Sequence, residues 1–431
     1  MSAPPRVVVT GLGFLCPGAH GLPELEALLR GERAPLRRWE SLRAAGFACQ
    51  VGGLPPEVEL EAYLRTDQRY ATNSHMRYAV IAGLDCWRDA GLEVPAWDAP
   101  LVDWESGLVL GTGSGGMETL TTLDYEAKLK SGQVRRLGGA VIEQTMMSAA
   151  SAKLAGLLGL GGRITTLSSA CTSGTEAIAE AYFQLRAGRA RRMLAGGTEG
   201  ATEATAPYVW AGFDAMRVLA RGWNDEPARA SRPLSASASG FVPSAGAGLL
   251  LLETLDSARA RGARIYAELC GAHVNSGGQR QGGSITAPNP HGVVRCVRSA
   301  LRDAAIAPAE IDLVNGHFTA TAFDVAEVQS WREALELAPE QMPRLQATKA
   351  YLGHGLGASG AWEAIASLLQ LQRGFVHRAL NCEDLHPALA PFARSLGSEC
   401  EANPPRVAVK AGFGFGDVNA CVVFRAWSEH E

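Results

Sequence analysis

The residues whose types and spacing could do chemistry are one cysteine and two histidines. Cys171 lies in Ile164-Thr165-Thr166-Leu167-Ser168-Ser169-Ala170-Cys171-Thr172-Ser173-Gly174, where a β-branched run passes through small residues into an Ala-rich segment. This is a strand-to-helix elbow. A thiol there points away from its own strand, and the helix that follows offers unpaired N–H groups and a partial positive charge that favour the thiolate. The Cys171 N–H also suits half of an oxyanion hole. The competing reading is a buried, inert free cysteine.

His317 follows the apolar run Ile311–Val314, and His354 sits in Gly353-His354-Gly355-Leu356-Gly357-Ala358-Ser359-Gly360. One histidine at such a turn is more often a satisfied core residue; two of them with an elbow cysteine point to a site. Lys349 stands five residues before His354 in a chain where only five of 40 basic residues are lysine, so a compact ammonium is expected there. Asp324 and Glu327, three residues apart, share a helix face that can hold it by charge. In Gly412-Phe413-Gly414-Phe415-Gly416, two aromatics on a hinge of glycines suit either a gate to an acyl-sized tunnel or a core plug.

Short Val/Ile/Leu-rich runs alternate with Ala-rich segments of helical length, which predicts an α/β fold with buried strands. Strands are expected at Val7–Thr10, Gly107–Gly111, Ile164–Leu167, Arg192–Ala195, Gly248–Glu253, Ile311–Asn315, Val407–Lys410 and Asn419–Phe424. Helices are expected at Arg77–Ala90, Ser148–Leu158, Gly174–Ala187, Val293–Ala304 and Gly360–Gln372. Glu176-Ala177-Ile178-Ala179 echoes Glu363-Ala364-Ile365-Ala366; each leads to a glycine, and Cys171 precedes one while His354 precedes the other. Two related halves follow, with reactive residues at the mouths of equivalent buried helices. The boundary is placed between residues 254 and 255, and the Ser/Ala/Pro-rich Pro227–Pro243 is expected as a loop packed over the first half.

The net charge of −4 argues against a nucleic-acid surface. Nine cysteines without a C-x-x-C pair suggest a reduced, cytoplasmic protein, and no apolar run is long enough to cross a membrane. The first residues, Met1 to Thr10, read as a strand and not as a signal peptide.

Taken in order, these segments resemble the β-ketoacyl-ACP synthase (ketosynthase) family of the thiolase-like condensing enzymes, especially its elongating type. The resemblance runs from Val8-Val9-Thr10-Gly11-Leu12-Gly13 through Gly111–Gly116, Ser169–Gly174, Leu194–Glu199, Ser231-Arg232-Pro233 and Gly240-Phe241-Val242 to the histidine segments and Phe413–Asn419. It implies a thiolase-like five-layer αβαβα fold of two duplicated halves, 1–254 and 255–431. It also implies a homodimer, or a heterodimer with a ketosynthase-like partner. Cys171 would take the acyl chain as a thioester, and His317 and His354 would promote decarboxylation of a malonyl thioester. Lys349, held by Glu327, would support that site. The N–H groups of Cys171 and Phe415 would form the oxyanion hole, and Thr319 and Thr321 would meet the phosphopantetheine arm. Phe413, Phe415, Met117 and Phe213 would line or gate the acyl pocket, with Met146 and Met147 among the residues setting its depth. Arg65 and Arg69 would dock an acidic acyl carrier protein; a solvated helix face is the alternative. No metal and no cofactor is implied beyond the phosphopantetheine that the carrier delivers.

The chain departs from the family pattern at several points. Phe318 replaces a usual glycine and is expected to narrow or reshape the site. Ser235–Phe241 and Ser244–Gly248 have lost acidic residues, and Asp417 places a carboxylate close to the gate. These departures suggest specialised, polyketide-like biosynthesis in place of housekeeping fatty-acid synthesis. The alternatives are a non-decarboxylating acyltransferase of the same fold, a chain-length-determining partner subunit and, further off, a Cys-His hydrolase.

Overall fold

The computed structural model describes residues 4–70, 72–397 and 404–428. Met1–Ala3 of the expected first segment and Cys400 lie outside them. The first half contains strand β1 (Val7–Cys16), helix α1 (Ser74–Asp89), β2 (Ser106–Gly111), α2 (Ala149–Leu158), β3 (Ile164–Leu167), α3 (Ser173–Arg186), β4 (Arg192–Glu199) and β5 (Gly246–Thr254). The second contains β6 (Ala267–Ser276), α4 (Pro290–Ala304), β7 (Leu313–Asn315), α5 (Phe323–Leu335), β8 (Arg344–Gln346), α6 (Ser359–Arg373), β9 (Val407–Gly414) and β10 (Val418–Ala426).

The strand order is β3-β2-β4-β5-β1 in the first block and β8-β7-β9-β10-β6 in the second. The directions match as well. β2 is parallel to β3 and β4, and β7 is parallel to β8 and β9, while the remaining pairs in each block are antiparallel. The expected duplication is therefore present strand for strand. The blocks join where Val7, Val8 and Val9 of β1 pair antiparallel with Leu269, Glu268 and Ala267 of β6.

The echoing segments fall in α3 and α6, which form the middle layer and pack against strands of both blocks. Every residue of α6 from Ser359 to Leu371 is buried, which accounts for its Ala-rich composition. The starts of α3 and α6 approach backbone to backbone: a Cβ on Gly174 would sit 2.6 Å from the Gly357 carbonyl oxygen, and one on Gly197 only 2.0 Å from it. This contact brings the two reactive turns together. The outer layers are α1 and α2 on one side and α4 and α5 on the other. Asn73 caps α1, and Asn289 with Pro290 starts α4.

Among the strands and helices named above, three were not anticipated: β6, β8 and the full length of α5. β6 interrupts its apolar residues with His273 and Asn275, and β8 spans three residues, so neither shows a strong period. The segment Pro227–Pro243 also differs from expectation. It reaches across to the second half, because its donors find acceptors there: Leu234 N–H bonds Asp324 Oδ2 at 2.9 Å, Gly240 N–H bonds the Ala320 carbonyl at 2.8 Å, and Arg232 pairs with Asp384 at 2.6 Å.

Candidate active site

Between β3 and α3 the chain turns through Ala170 at φ +52° and a short 3-10 turn, Ala170–Thr172. A non-glycine residue in the left-handed region carries backbone strain. It is held by Ser173, whose Oγ accepts the Ser169 N–H at 2.9 Å and donates to the Ala170 carbonyl at 2.6 Å. Cys171 emerges at this elbow with 7% of its surface exposed. The backbone N–H groups of Phe415 and of Cys171 itself act on the sulfur in the direction that favours its thiolate. Burial pushes the thiol up to about 12, and the Lys349 ammonium only partly opposes this. The N–H groups at the elbow favour the thiolate, as expected, but burial is the larger effect.

The Cys171 sulfur and one ring nitrogen from each of His317 and His354 lie within 4.8 Å of one another, all buried. The two imidazoles meet edge to face, with centroids 5.7 Å apart. Ser359 Oγ accepts the Gly355 N–H at 2.9 Å and bonds His354 Nδ1, also at 2.9 Å, which fixes the ring plane and leaves Nε2 as the nitrogen not engaged by Ser359. Burial, then the Lys349 ammonium, holds both imidazoles well below their ordinary value. They are neutral N–H donors. Sulfur with two imidazoles is also a donor set for zinc, but the adjacent ammonium groups of Lys349 and Lys410 oppose a dication there.

The carboxylates are distributed differently from expectation. Lys349 pairs with Glu363 of α6, not with Glu327, and its Nζ donates to the His317 carbonyl at 2.7 Å. Glu327 instead accepts the backbone N–H groups of His317 (2.6 Å) and Phe318 (2.9 Å) and the Trp331 indole N–H (3.2 Å). Asp324 accepts from Thr319 (2.8 Å), Ala320 (3.1 Å) and Leu234. Together the two acids clamp the loop that carries His317. Burial pushes Asp324 up to about 6, and burial plus the neighbouring Asp324 charge pushes Glu327 up to about 7. Sequence reasoning missed Glu363, although a lone acid in an otherwise apolar helix was the available signal. It also missed Lys410, a lysine inside an apolar strand, and Glu199, whose carboxylate accepts the N–H groups of Gly113, Ser114 and Gly357 beneath Cys171.

A cavity of about 600 Å³ opens onto these groups, and Thr319, Thr321, Phe213, Phe413 and Phe415 all line it. The Thr319 and Thr321 hydroxyls are 3.0 Å apart. Phe241, also missed as a site residue, lies edge-on to His354 at 5.0 Å and to Phe213 at 5.8 Å. Met117 does not line the cavity. It starts the helix Met117–Thr122 and is 45% exposed, as are Met146 (45%) and, to a lesser degree, Met147 (37%).

Two expected departures change meaning. Phe318 is fully buried in the core of the second half and does not reach the cavity. Its ring covers Gly316, where a Cβ would come within 2.3 Å of it, so the bulk is absorbed on the far side of the backbone. Asp417, at φ +62° and fully buried, turns away from the gate. Its carboxylate accepts the N–H groups of Gln279 and Asn289, both at 2.8 Å, and ties down the loop before α4. Arg65 and Arg69 lie outside the cavity and already have partners, Asp67 at 2.7 Å for Arg65 and Glu61 for Arg69; Arg65 also stacks on Trp97 at 4.1 Å.

A cysteine at the mouth of the central helix of a duplicated five-layer α/β fold is the arrangement of the thiolase-like enzymes. Residues 5–258 match the β-ketoacyl synthase N-terminal domain and residues 266–383 the β-ketoacyl synthase C-terminal domain. The chain is 33% identical to 3-oxoacyl-[acyl-carrier-protein] synthase 2 of Vibrio harveyi, over 98% of this chain and 99% of that protein. A β-ketoacyl synthase from Burkholderia phymatum STM815 superposes with a TM-score of 0.88 at 31% identity, covering 98% of this chain and 100% of that one. AntDE:AntF, a type II PKS acyl-carrier protein in complex with its ketosynthase, superposes at 0.85 with 25% identity, covering 98% and 100%. The chain belongs to the β-ketoacyl synthase family.

Proposed function

We propose that this chain is a ketosynthase that condenses a Cys171-bound acyl group with malonyl-acyl carrier protein, losing CO2 and giving a β-ketoacyl-carrier thioester. The observation that carries this reading is the convergence of the Cys171 sulfur and two neutral imidazoles within 4.8 Å at one end of an apolar cavity. In the first step Cys171 attacks the acyl thioester and the carrier thiol leaves with the proton. The N–H groups of Cys171 and Phe415 receive the oxyanion. In the second step malonyl thioester loses CO2 while the N–H groups of His317 and His354 bond the oxygen on which enolate charge develops. The enolate carbon then attacks the acyl carbonyl, and Cys171 departs as the thiolate and takes a proton from water. Neutral imidazoles suit this role because they donate where charge appears without having to lose a proton.

Lys349 and Glu363 anchor the His317 loop from below, while Glu327 and Asp324 fix its backbone. Thr319 and Thr321 receive the phosphopantetheine arm, which arrives with the carrier protein, so no separate cofactor is needed. Phe213, Phe413 and Phe415 shape the acyl end. Arg65 and Arg69 contribute to carrier docking by exchanging their surface carboxylates for those of the carrier; such exposed pairs are worth about 0–1 kcal/mol and yield readily. Unchanged carrier turnover after reversing both charges would remove that role.

The outer edge of β3 is half-buried and unpaired among the described residues, and exposed Met117, Ile142 and Met146 accompany it. Both features support pairing with a second ketosynthase-like chain. The proposed division into 1–254 and 255–431 follows the repeated strand order. No helix among the described residues is long and apolar enough to cross a membrane. A cytoplasmic site is supported by the eight described cysteines, all of which are free. The proposed setting is polyketide-like or fatty-acid-like biosynthesis.

The test is to incubate the protein with an acyl-carrier thioester, with and without malonyl-carrier, and to weigh Cys171 and the products. Acylation, CO2 release and a product two carbons longer are expected. Acylation without growth would transfer the chain to the non-decarboxylating acyltransferases, and absence of acylation would make it a partner subunit.

A further inference from the structure

Lys410 is a second buried lysine that nothing above employs. It sits on β9 with 0% of its surface exposed. Its Nζ lies 2.9 Å from Glu363 Oε2, while Lys349 takes Oε1 of the same carboxylate. Lys410 also donates to the Ala411 carbonyl. A buried carboxylate normally answers one buried cation, because each unpaired charge left away from water is costly. Here two ammonium groups share one.

We infer that Lys410 is a positioning residue of the condensation site: it shares Glu363 with Lys349, which holds the His317 carbonyl, and so adds a second positive charge beneath the site that offsets the enolate charge. The inference rests on the ketosynthase reading. Every element packed around the pair contributes to the charge balance. Lys349 follows β8, Lys410 lies on β9 and Glu363 on α6. Asp324 and Glu327 of α5 face the His317 loop, while Cys171 before α3 and Glu199 of β4 close the other side. Glu363 is the one acid in direct contact with both lysines among the described residues, while Glu327, held by backbone N–H groups, acts on them from farther off. Burial draws the Lys410 ammonium down and the Glu363 carboxylate raises it again. The Lys410 charge also acts on both imidazoles in the direction that disfavours their protonation.

The test is Lys410→Met in the full chain. It leaves Lys349 and Glu363 as a balanced pair, so the thermal midpoint is expected to hold. The acid limb of malonyl-carrier decarboxylation against pH should move up by about one unit, and the rate at its optimum should fall by roughly tenfold, the order expected for one nearby charge in a protein interior. The His317 and His354 ring signals, read by NMR, should titrate at correspondingly higher pH. Lys410→Arg, which keeps the charge, should restore the acid limb. If Lys410→Met fails to fold, Lys410→Gln carries the same expectation. Coincident acid limbs and unchanged imidazole titrations in the folded neutral variant would overturn the inference. A wild-type protein that releases no CO2, but whose imidazoles still shift in the variant, would remove the condensation reading and leave the charge assignment standing.

Discussion

Replacing Glu363 by Gln removes the one carboxylate shared by two buried ammonium groups while keeping the shape of the side chain. Lys349, Glu363 and Lys410 are all nearly inaccessible to water, so water cannot take over the role of the carboxylate. Breaking a buried ion pair from one side costs about 3–5 kcal/mol, since it strands the remaining charge. With an unfolding entropy of about 2.1 cal/mol/K per residue, 431 residues give roughly 0.9 kcal/mol/K, so the midpoint should fall by about 3–6 °C at pH 7. The pH dependence separates this cause from simple misfit. Burial already lowers the Lys410 ammonium and Glu363 opposes that, so its loss lowers the group further. A lysine depressed in the folded state leaves the unfolded chain binding more protons. Stability therefore rises as pH climbs from the folded value towards the unfolded one near 10.4. The deficit of Glu363→Gln should shrink as pH rises towards the unfolded-state value, as followed by thermal melts of wild type and variant from neutral to alkaline pH. A deficit below about 1 kcal/mol at pH 7, or one that stays constant with pH, would refute the shared-carboxylate account.

Three further outcomes follow from other contacts. Alkylation of Cys171 by iodoacetamide should keep accelerating through pH 9 and 10 without a plateau, because burial holds the thiol at about 12; a plateau near pH 8 would contradict this, and Cys171→Ala should remove the labelled mass. Asp417→Ala should release the loop before α4, two N–H acceptors being lost at about 1–3 kcal/mol for each stranded group, and limited trypsin digestion should then cut faster at Arg280; equal cleavage would reject the clasp. Gly316→Ala should destabilise the second half by about 1–3 kcal/mol in urea titration, since its Cβ meets the Phe318 ring, and the same change made in a Phe318→Gly background should cost measurably less.

What could be read from the chain, and what could not, divides at particular residues. The elbow around Cys171 was legible because strand, turn and helix are consecutive there and each has its own local signature. Phe318 and Asp417 were legible as departures but not in their effect. An inserted aromatic can enter the cavity or the core, and only the position of its neighbours decides which. Lys349 was singled out correctly by type and assigned to the wrong acid: Glu327 is 22 residues away along the chain and Glu363 is 14, and sequence distance carries no information about which carboxylate faces an ammonium across a sheet. Glu327 was pre-empted by the N–H groups of His317 and Phe318, which the helix start of α5 places against it.

By itself, the order of residues determined the class of fold, the duplication and the three side chains that converge, Cys171, His317 and His354, because hydrophobic period, turn composition and a repeated buried helix are local properties of the chain. Only the tertiary structure decided that burial raises the Cys171 thiol, that Ser359 holds His354 Nδ1, and that one carboxylate lies between two lysines. Those are matters of desolvation and pairing among residues far apart in sequence, and they take a value only once the two halves have closed around the starts of α3 and α6.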